Sequence, residues 1–462
     1  MLLNQLNKLG RFYLKLPVSL QNVAVSTYGL YTRLWRYNSR FEQLLNDARE
    51  RDMWDADRTR DYLNFRVQRF VRHSVATVPY YRELFQEQKI DPSDITTIEQ
   101  LQLLPVLSKA TVQGRISDFV SEAIPKSTQV ITQTSGSTGA GLTFVTTMDA
   151  LREQWSIWWR HWLRHGISVD TPRACFRGIA LVPADQRKPP FWRYDQARRE
   201  LYISGNHISP KSFPSIIEEL NRRRLPWLHG NPSAISWFAA LMLDRDRRLD
   251  YPIRWISLSM EQALPHQIAN IEKAFGIRPI QHYGVVEAVA NISENPDGNL
   301  YVDEDFAATE FLMEPGTDTF QVVGTNLSNP AFPLLRYKVN DCAEITGSSD
   351  AHGRRIVKSI AGRTDDYVIL PNGSRLGRLD QLFQGIVHVL EAQIYQNKTY
   401  EITIKVVKGK NFSLDDEARI LSAARQRITQ DVKIKLAYVS HINRGASGKF
   451  RYVVSDLFGG KL

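Results

Sequence analysis

Residues 134–141, Thr-Ser-Gly-Ser-Thr-Gly-Ala-Gly, constrain this chain more than any other stretch. Its three glycines admit positive φ and close backbone approach, so its N–H groups can converge on an anion. Four hydroxyls add donors for phosphate oxygens. Val130-Ile131 just before predicts a strand leading into the loop. Taken alone, the segment also reads as a flexible Gly/Ser surface loop. Two other uses are excluded. A P-loop needs its phosphate-binding lysine where Leu142 stands, and the loop holds no G-x-S-x-G nucleophile elbow.

At 462 residues the chain calls for roughly two or three domains. Its 43% hydrophobic and 23% charged residues are ordinary for a globular protein. Cys175 and Cys342 can build neither a disulfide framework nor a cysteine-rich zinc site, which points to a reducing cytoplasm. The net charge is +10, yet the densest basic cluster is only Arg222-Arg223-Arg224. A solvated surface biased toward polyanionic ligands such as ATP is expected, with no nucleic-acid partner. No apolar stretch reaches membrane-spanning length, and Asn4-Gln5-Leu6-Asn7-Lys8 breaks any signal-peptide pattern. The first acidic residue is Glu42. Before it lie Lys8, Arg11, Lys15, Arg33, Arg36 and Arg40, among Phe12, Tyr13, Tyr28, Tyr31 and Trp35. This lead-in reads as a core-packed helical segment or as a peripheral attachment to an anionic membrane, and Pro17 interrupts any single long helix.

Leu63, Val67, Phe70 and Val71 predict an amphipathic helix over 58–74. Trp155, Trp158, Trp159 and Trp162 recur at helical spacing, as a core stripe or as the wall of a substrate pocket. Trp255-Ile256-Ser257-Leu258, the stretch from Pro265 to Phe275, and Pro279-Ile280 alternate strand and helix, which argues for an α/β sheet. From about residue 362 the texture changes. A hairpin around Pro371-Asn372-Gly373, a strand from Tyr400 to Val406, a helix capped by Ser413 and a strand from Val432 to Val439 predict a separate small unit.

Four further segments follow the glycine-rich loop. They are His282-Tyr283-Gly284-Val285-Val286-Glu287, Pro333-Leu334-Leu335-Arg336-Tyr337-Lys338-Val339-Asn340-Asp341, Gly362-Arg363-Thr364-Asp365-Asp366, and Asn443-Arg444-Gly445-Ala446-Ser447-Gly448-Lys449-Phe450-Arg451. In this order they resemble the motifs of the adenylate-forming superfamily of acyl-CoA synthetases, adenylation domains and luciferases. The resemblance is to the phenylacetate–CoA ligase-like branch, which includes capsular-polysaccharide biosynthesis proteins of the CapK type. Pro79-Tyr80-Tyr81-Arg82 also looks like this branch. There are departures: Gly141-Leu142 replaces Pro-Lys, Val286 replaces a hydroxyl residue, Asn340 replaces glycine, and Asn443 and Gly445 replace Pro and Thr.

The resemblance implies a large α/β N-terminal domain over 1–364, with 1–60 as a helical basic lead-in, and a small mobile α+β C-terminal domain over 365–462. It implies that Thr134, Ser135, Gly136, Ser137, Thr138 and Gly139 cradle ATP phosphates. Tyr283 and Gly284 would lie against adenine, Asp341 would hold the ribose, and Arg363 would contact ribose or phosphate. Glu287 would support Mg²⁺, Asp365 would be the hinge, and Lys449 the catalytic lysine. The implied reaction activates a small carboxylic acid as its acyl-AMP. The acceptor stays open among CoA, an amine-bearing sugar and a carrier protein, and a homo-oligomer is compatible. A degenerate nucleotide-binding scaffold in a polysaccharide assembly complex is the other reading.

Overall fold

The computed structural model describes residues 8–134, 141–178, 181–313, 319–363, 367–372, 375–376, 379–383, 388–428, 431–444 and 450–458. The fold is α/β, as expected, and the chain forms two compact units. One combines Met1–Tyr31, Asp170–Gln281 and Thr364–Leu462; the other combines Thr32–Val169 and His282–Arg363.

Among the described residues the first unit holds two larger sheets and a two-stranded hairpin. In one, Glu200–Ser204, Arg173–Arg177, Trp227–Gly230 and Trp255–Leu258 run parallel in that spatial order. Trp192–Asp195 caps one edge antiparallel, and Ile280 and Gln281 pair beside Trp255–Leu258. Helix Pro232–Asp244 is buried from Pro232 to Met242, as a helix that is apolar all round must be. Helix Pro265–Phe275 starts on proline and ends on Gly276 at φ 73°, the asymmetry that suits helix ends.

The last hundred residues build the second sheet. Ile434–Tyr438 runs parallel to Ile402–Lys408, which pairs antiparallel with Val389–Gln396, and Val453–Ser455 joins parallel on the far side. Helix Leu414–Arg427 covers it, with Ser413 and Asp416 in a reciprocal capping box. Ile394, Ile404, Ile420 and Ala424 sit in a separate core. The expected strand from Tyr400 begins instead at Ile402, because Tyr400 takes φ 63° in the turn that closes on Asn397. Val368–Ile369 pairs with Arg375–Leu376 as the expected hairpin, although Gly373 of its turn lies outside the described residues.

The second unit carries an antiparallel sheet of Ala307–Met313, Phe320–Asn326, Tyr337–Ser349, Arg355–Arg363, Leu300–Val302, Asn291–Glu294 and residues 282–284. A hairpin, Gln129–Gln133 with Thr143–Thr147, stands apart from it. Helix Ala56–Thr77 buries Leu63, Val67, Phe70 and Val71, the face expected from their spacing. The tryptophan stripe falls on helix Met148–Arg164 and divides: Trp159 and Trp162 are buried, whereas Trp155 and Trp158 are half-buried.

Candidate active site

The second unit brings three of the expected site residues together. Asp341, in Tyr337–Ser349, stands opposite Arg363 across an antiparallel ladder. Tyr283, at the end of Ile280–Gly284, donates its hydroxyl to Asp341 Oδ2 at 2.8 Å. Asn340 has φ 65°, so it supplies the left-handed backbone for which the related motif uses glycine. The Arg363 side chain lies outside the described residues.

The segment leading to Asp341 is held from behind. Arg336 is buried, donates to both oxygens of Glu310 at 2.8–3.1 Å, and reaches the Leu104 carbonyl. Tyr81 of the Pro79-Tyr80-Tyr81-Arg82 segment donates to the Pro333 carbonyl at 3.2 Å and accepts from the Leu335 N–H at 2.8 Å. Motif arginine and motif tyrosine thus fix the strand that presents Asp341. This bracing was not read from the sequence, although Tyr80-Tyr81 beside Pro79 carried the signal.

Thr134 and Leu142 close the neck of the glycine-rich loop, the Thr134 N–H meeting the Leu142 carbonyl and the Leu142 N–H meeting Thr134 Oγ1, both at 2.9 Å. A Cβ on Gly141 would fall 2.1 Å from the Thr134 carbonyl oxygen, so only glycine fits this neck. Leu142 is wholly buried in the core beside Phe144 and Phe332. A lysine there would have to desolvate its charge, which accounts for the missing P-loop lysine in physical terms. Ser135, Gly136, Ser137, Thr138 and Gly139 lie outside the described residues.

Beside this hairpin is a small cavity lined by Thr132, Thr146, Gln154, Val286, Glu287 and Asn329, among others. The loop's own strands therefore share a concavity with Glu287, four residues beyond Tyr283. Carboxylate, hydroxyl and amide oxygens form the kind of hard donor set Mg²⁺ takes together with substrate phosphates. Among the described residues there is no group of three or more His, Cys, Asp or Glu placed to cage a metal. One carboxylate and the substrate's own oxygens fit Mg²⁺ better than a closed protein site does. Sequence reading did not foresee Asn329 or Thr146 in this wall.

Gly284 is exposed, and a Cβ there would come within 3.2 Å of Asn291 Oδ1, His282 Cε1 and Trp158 Nε1. Asn291 Oδ1 accepts from Trp158 Nε1 at 3.0 Å and lies 3.0 Å from His282 Nε2, while Asn291 Nδ2 donates to Asp303 at 2.6 Å. Burial lowers the His282 pKa to about 4, so the imidazole is neutral near pH 7. His161 stacks on it at 5.1 Å and is likewise pushed well below the ordinary histidine value, by burial and by its histidine neighbours. Gln154 Nε2 donates to the Val285 carbonyl at 2.8 Å. The tryptophan helix therefore grips the 282–287 segment at two points.

The loop bearing Lys449 belongs to the first unit, and Lys449 itself lies outside the described residues, as does Asp365. The ends of that loop are held. The Phe450 N–H donates to Glu261 at 2.9 Å, and Glu261 also accepts from Asn231 at 2.7 Å. Arg444 pairs with Glu391 and sits 4.8 Å from the Phe450 ring centre.

The CapK C-terminal domain family matches residues 369–456. Protein CapK of Staphylococcus aureus is 23% identical over 97% of this chain and 100% of its own length. The crystal structure of 2-hydroxyisobutyryl-CoA ligase in the postadenylation state, in complex with 2-HIB-AMP, superposes with a TM-score of 0.65 at 18% identity. That match covers 88% of this chain and 92% of the other. This chain has the fold of these adenylate-forming ligases. The same ligase in complex with 2-HIB-AMP and CoA, in the thioesterification state, gives a TM-score of 0.53 at 18% identity over 87% of this chain and 90% of the other. In an adenylate-forming fold the large domain lies N-terminal and the small one C-terminal, which is the order of sheets found here.

Proposed function

We propose that this chain activates a carboxylic acid with ATP, forming an acyl adenylate and pyrophosphate, and then passes the acyl group to an acceptor. The observation that carries this reading is the meeting of Tyr283 and Asp341 with the backbone of Arg363, while Glu287 shares a cavity with Thr132 and Thr146 of the strands that flank the glycine loop. Tyr283 and Gly284 offer a flat, open seat for adenine, and Asp341 offers a carboxylate to the ribose hydroxyls. Arg363 and the amides and hydroxyls of Thr134 to Gly139 would bind the phosphates, as the motif resemblance implies. Mg²⁺, held by Glu287 and phosphate oxygens, would neutralise charge on the departing pyrophosphate. The carboxylate oxygen attacks the α-phosphorus in line as the bond to pyrophosphate breaks, so positioning and charge neutralisation are the protein's main contributions. Lys449 would stabilise charge gathering on the α-phosphate and the incoming carboxylate. Asp365 would be the pivot between domains over 1–364 and 365–462, exposing the adenylate to CoA, an amine-bearing sugar or a carrier protein. The CapK-type resemblance favours a cytoplasmic step in surface-polysaccharide synthesis.

ATP–pyrophosphate exchange across aryl, fatty, hydroxy and amino acids is the test. Exchange with one class names the substrate, and Lys449→Ala should slow it roughly 100- to 1,000-fold while leaving transfer from a supplied acyl adenylate intact. Tight nucleotide binding with no exchange across the whole panel would favour the scaffold reading, to which the exposed Val286 in a hydroxyl position lends support.

A further inference from the structure

The N-terminal helix Val18–Arg36 is 19 residues long and has two unlike faces. One face is fixed to the edge strand Trp192–Asp195 and the turn after it. Gln21 accepts from Arg193 at 2.5 Å, Asn22 from the Tyr194 N–H at 2.9 Å, and Ser26 from the Gln196 N–H at 2.9 Å. Gly29 lies so close that a Cβ would fall 2.1 Å from an Asp195 carboxylate oxygen. These positions leave no freedom for the helix to roll.

The opposite face therefore points outward by construction, and it is apolar. Leu20, Val23, Leu30 and Tyr31 recur at helical spacing along one stripe and are 49–60% exposed, with only Thr27 polar among them. Phe12, on the preceding helix Lys8–Lys15, is 63% exposed. The segment that carries the stripe is basic in sequence, with Arg40 at its far end paired to Asp149. No Asp or Glu occurs before Glu42, while Lys8, Arg11, Lys15, Arg33, Arg36 and Arg40 do, and Lys15 and Arg33 are exposed before and after the stripe.

We propose that this face docks the protein on an anionic lipid surface, the helix lying in the plane of the headgroups with its stripe among the upper acyl chains. An in-plane helix needs such an apolar face and cationic flanks. No helix among the described residues is long and apolar enough to cross a membrane, so the attachment is peripheral. A second copy of the chain is a poorer occupant, since two such faces would bring cations against cations. Nucleic acid would leave the aliphatic stripe unmatched.

The test is co-sedimentation of the full chain with phosphatidylcholine vesicles, with and without about one-third phosphatidylglycerol. The wild type should bind the anionic vesicles at least roughly tenfold more tightly than the neutral ones, and less tightly in high salt. Val23→Glu with Leu30→Glu should weaken that binding by roughly tenfold or more, and Val23→Ser with Leu30→Ser by less, both with an unchanged circular dichroism spectrum. Absence of binding to anionic vesicles overturns the proposal, as does binding that neither double variant reduces. A wild-type dimer that the glutamate pair splits, without vesicle binding, would instead assign the face to a second copy.

Discussion

Two helices, one in each unit, are buried by different means. Pro232–Asp244 packs Ile235, Phe238 and Leu241 into an apolar core and is held by shape and volume. Met148–Arg164 instead buries a cation. Arg160 is 2% exposed and donates to Asp303 at 2.9 Å, to both oxygens of Asp305 at 2.8 Å, and to the Ala48 carbonyl at 2.9 Å. The second arrangement is directional. Asp303 also accepts from Asn291 and Ser293, and Asn291 accepts from Trp158 beside Gly284. Buried charge here sets the register of the strand that presents Tyr283, whereas the apolar helix has no candidate site residue in its core. Packing supplies stability in both places, but only the ionic cluster carries positional information to the candidate site.

The largest expected effects separate these roles. Phe238→Ala leaves a core cavity and should cost about 3–5 kcal/mol in urea unfolding, with ATP affinity unchanged in the folded protein. Arg160→Met leaves Asp303 and Asp305 buried beside weaker partners and should cost about 3–5 kcal/mol as well, while weakening ATP binding. Equal loss of ATP affinity in Phe238→Ala and Arg160→Met would erase the distinction.

Acid sharpens the comparison. His282 is held near 4 by burial and His161 is also pushed down by burial, against an ordinary value of about 6.5. Between those values the unfolded chain binds protons that the folded chain refuses, so stability should fall as pH drops from about 6.5 to 4. His282 alone corresponds to a loss on the order of 3 kcal/mol by the lower limit. The first unit has His266, also near 4. His161→Phe keeps a flat ring against His282 and should flatten the profile of urea midpoint against pH. A wild-type midpoint that does not move between pH 6.5 and 4.5 would show that these rings take up protons without unfolding cost.

The sequence announced those parts of the fold whose signals are local. Trp255–Leu258 and Pro265–Phe275 have the expected bounds because a short apolar run with Trp255 and Ile256 marks the strand and an N-terminal proline marks the helix. The capping box at Ser413 is as local. Val389–Gln396 was not read as a strand, since Glu391 and Gln393 occupy buried positions on it and blur the alternation. At the site, Tyr283 and Asp341 were legible as motif residues, but their hydrogen bond was not, because no periodicity links positions 58 residues apart. Arg160 was opaque for a similar reason. A cation on an aromatic helix reads as solvated until Asp303 and Asp305 come to it from another element.

The smallest effects test whether the Tyr283–Asp341 bond belongs to binding or to folding. Tyr283 is half-buried, so in Tyr283→Phe water can replace the lost donor, and stability should fall by only about 1 kcal/mol. The same change frees the Asp341 carboxylate from its fixed direction, and ATP should bind roughly three- to tenfold more weakly in calorimetry. Tyr81→Phe is the mirror case. Its hydroxyl is buried between the Pro333 carbonyl and the Leu335 N–H, water has no access, and the loss should appear as about 1–3 kcal/mol of stability with little change in ATP affinity. If Tyr283→Phe destabilised the fold as much as Tyr81→Phe and left affinity alone, the hydroxyl at 283 would be one more brace of the sheet. The open seat beside Gly284 would then have to recognise its ligand without it.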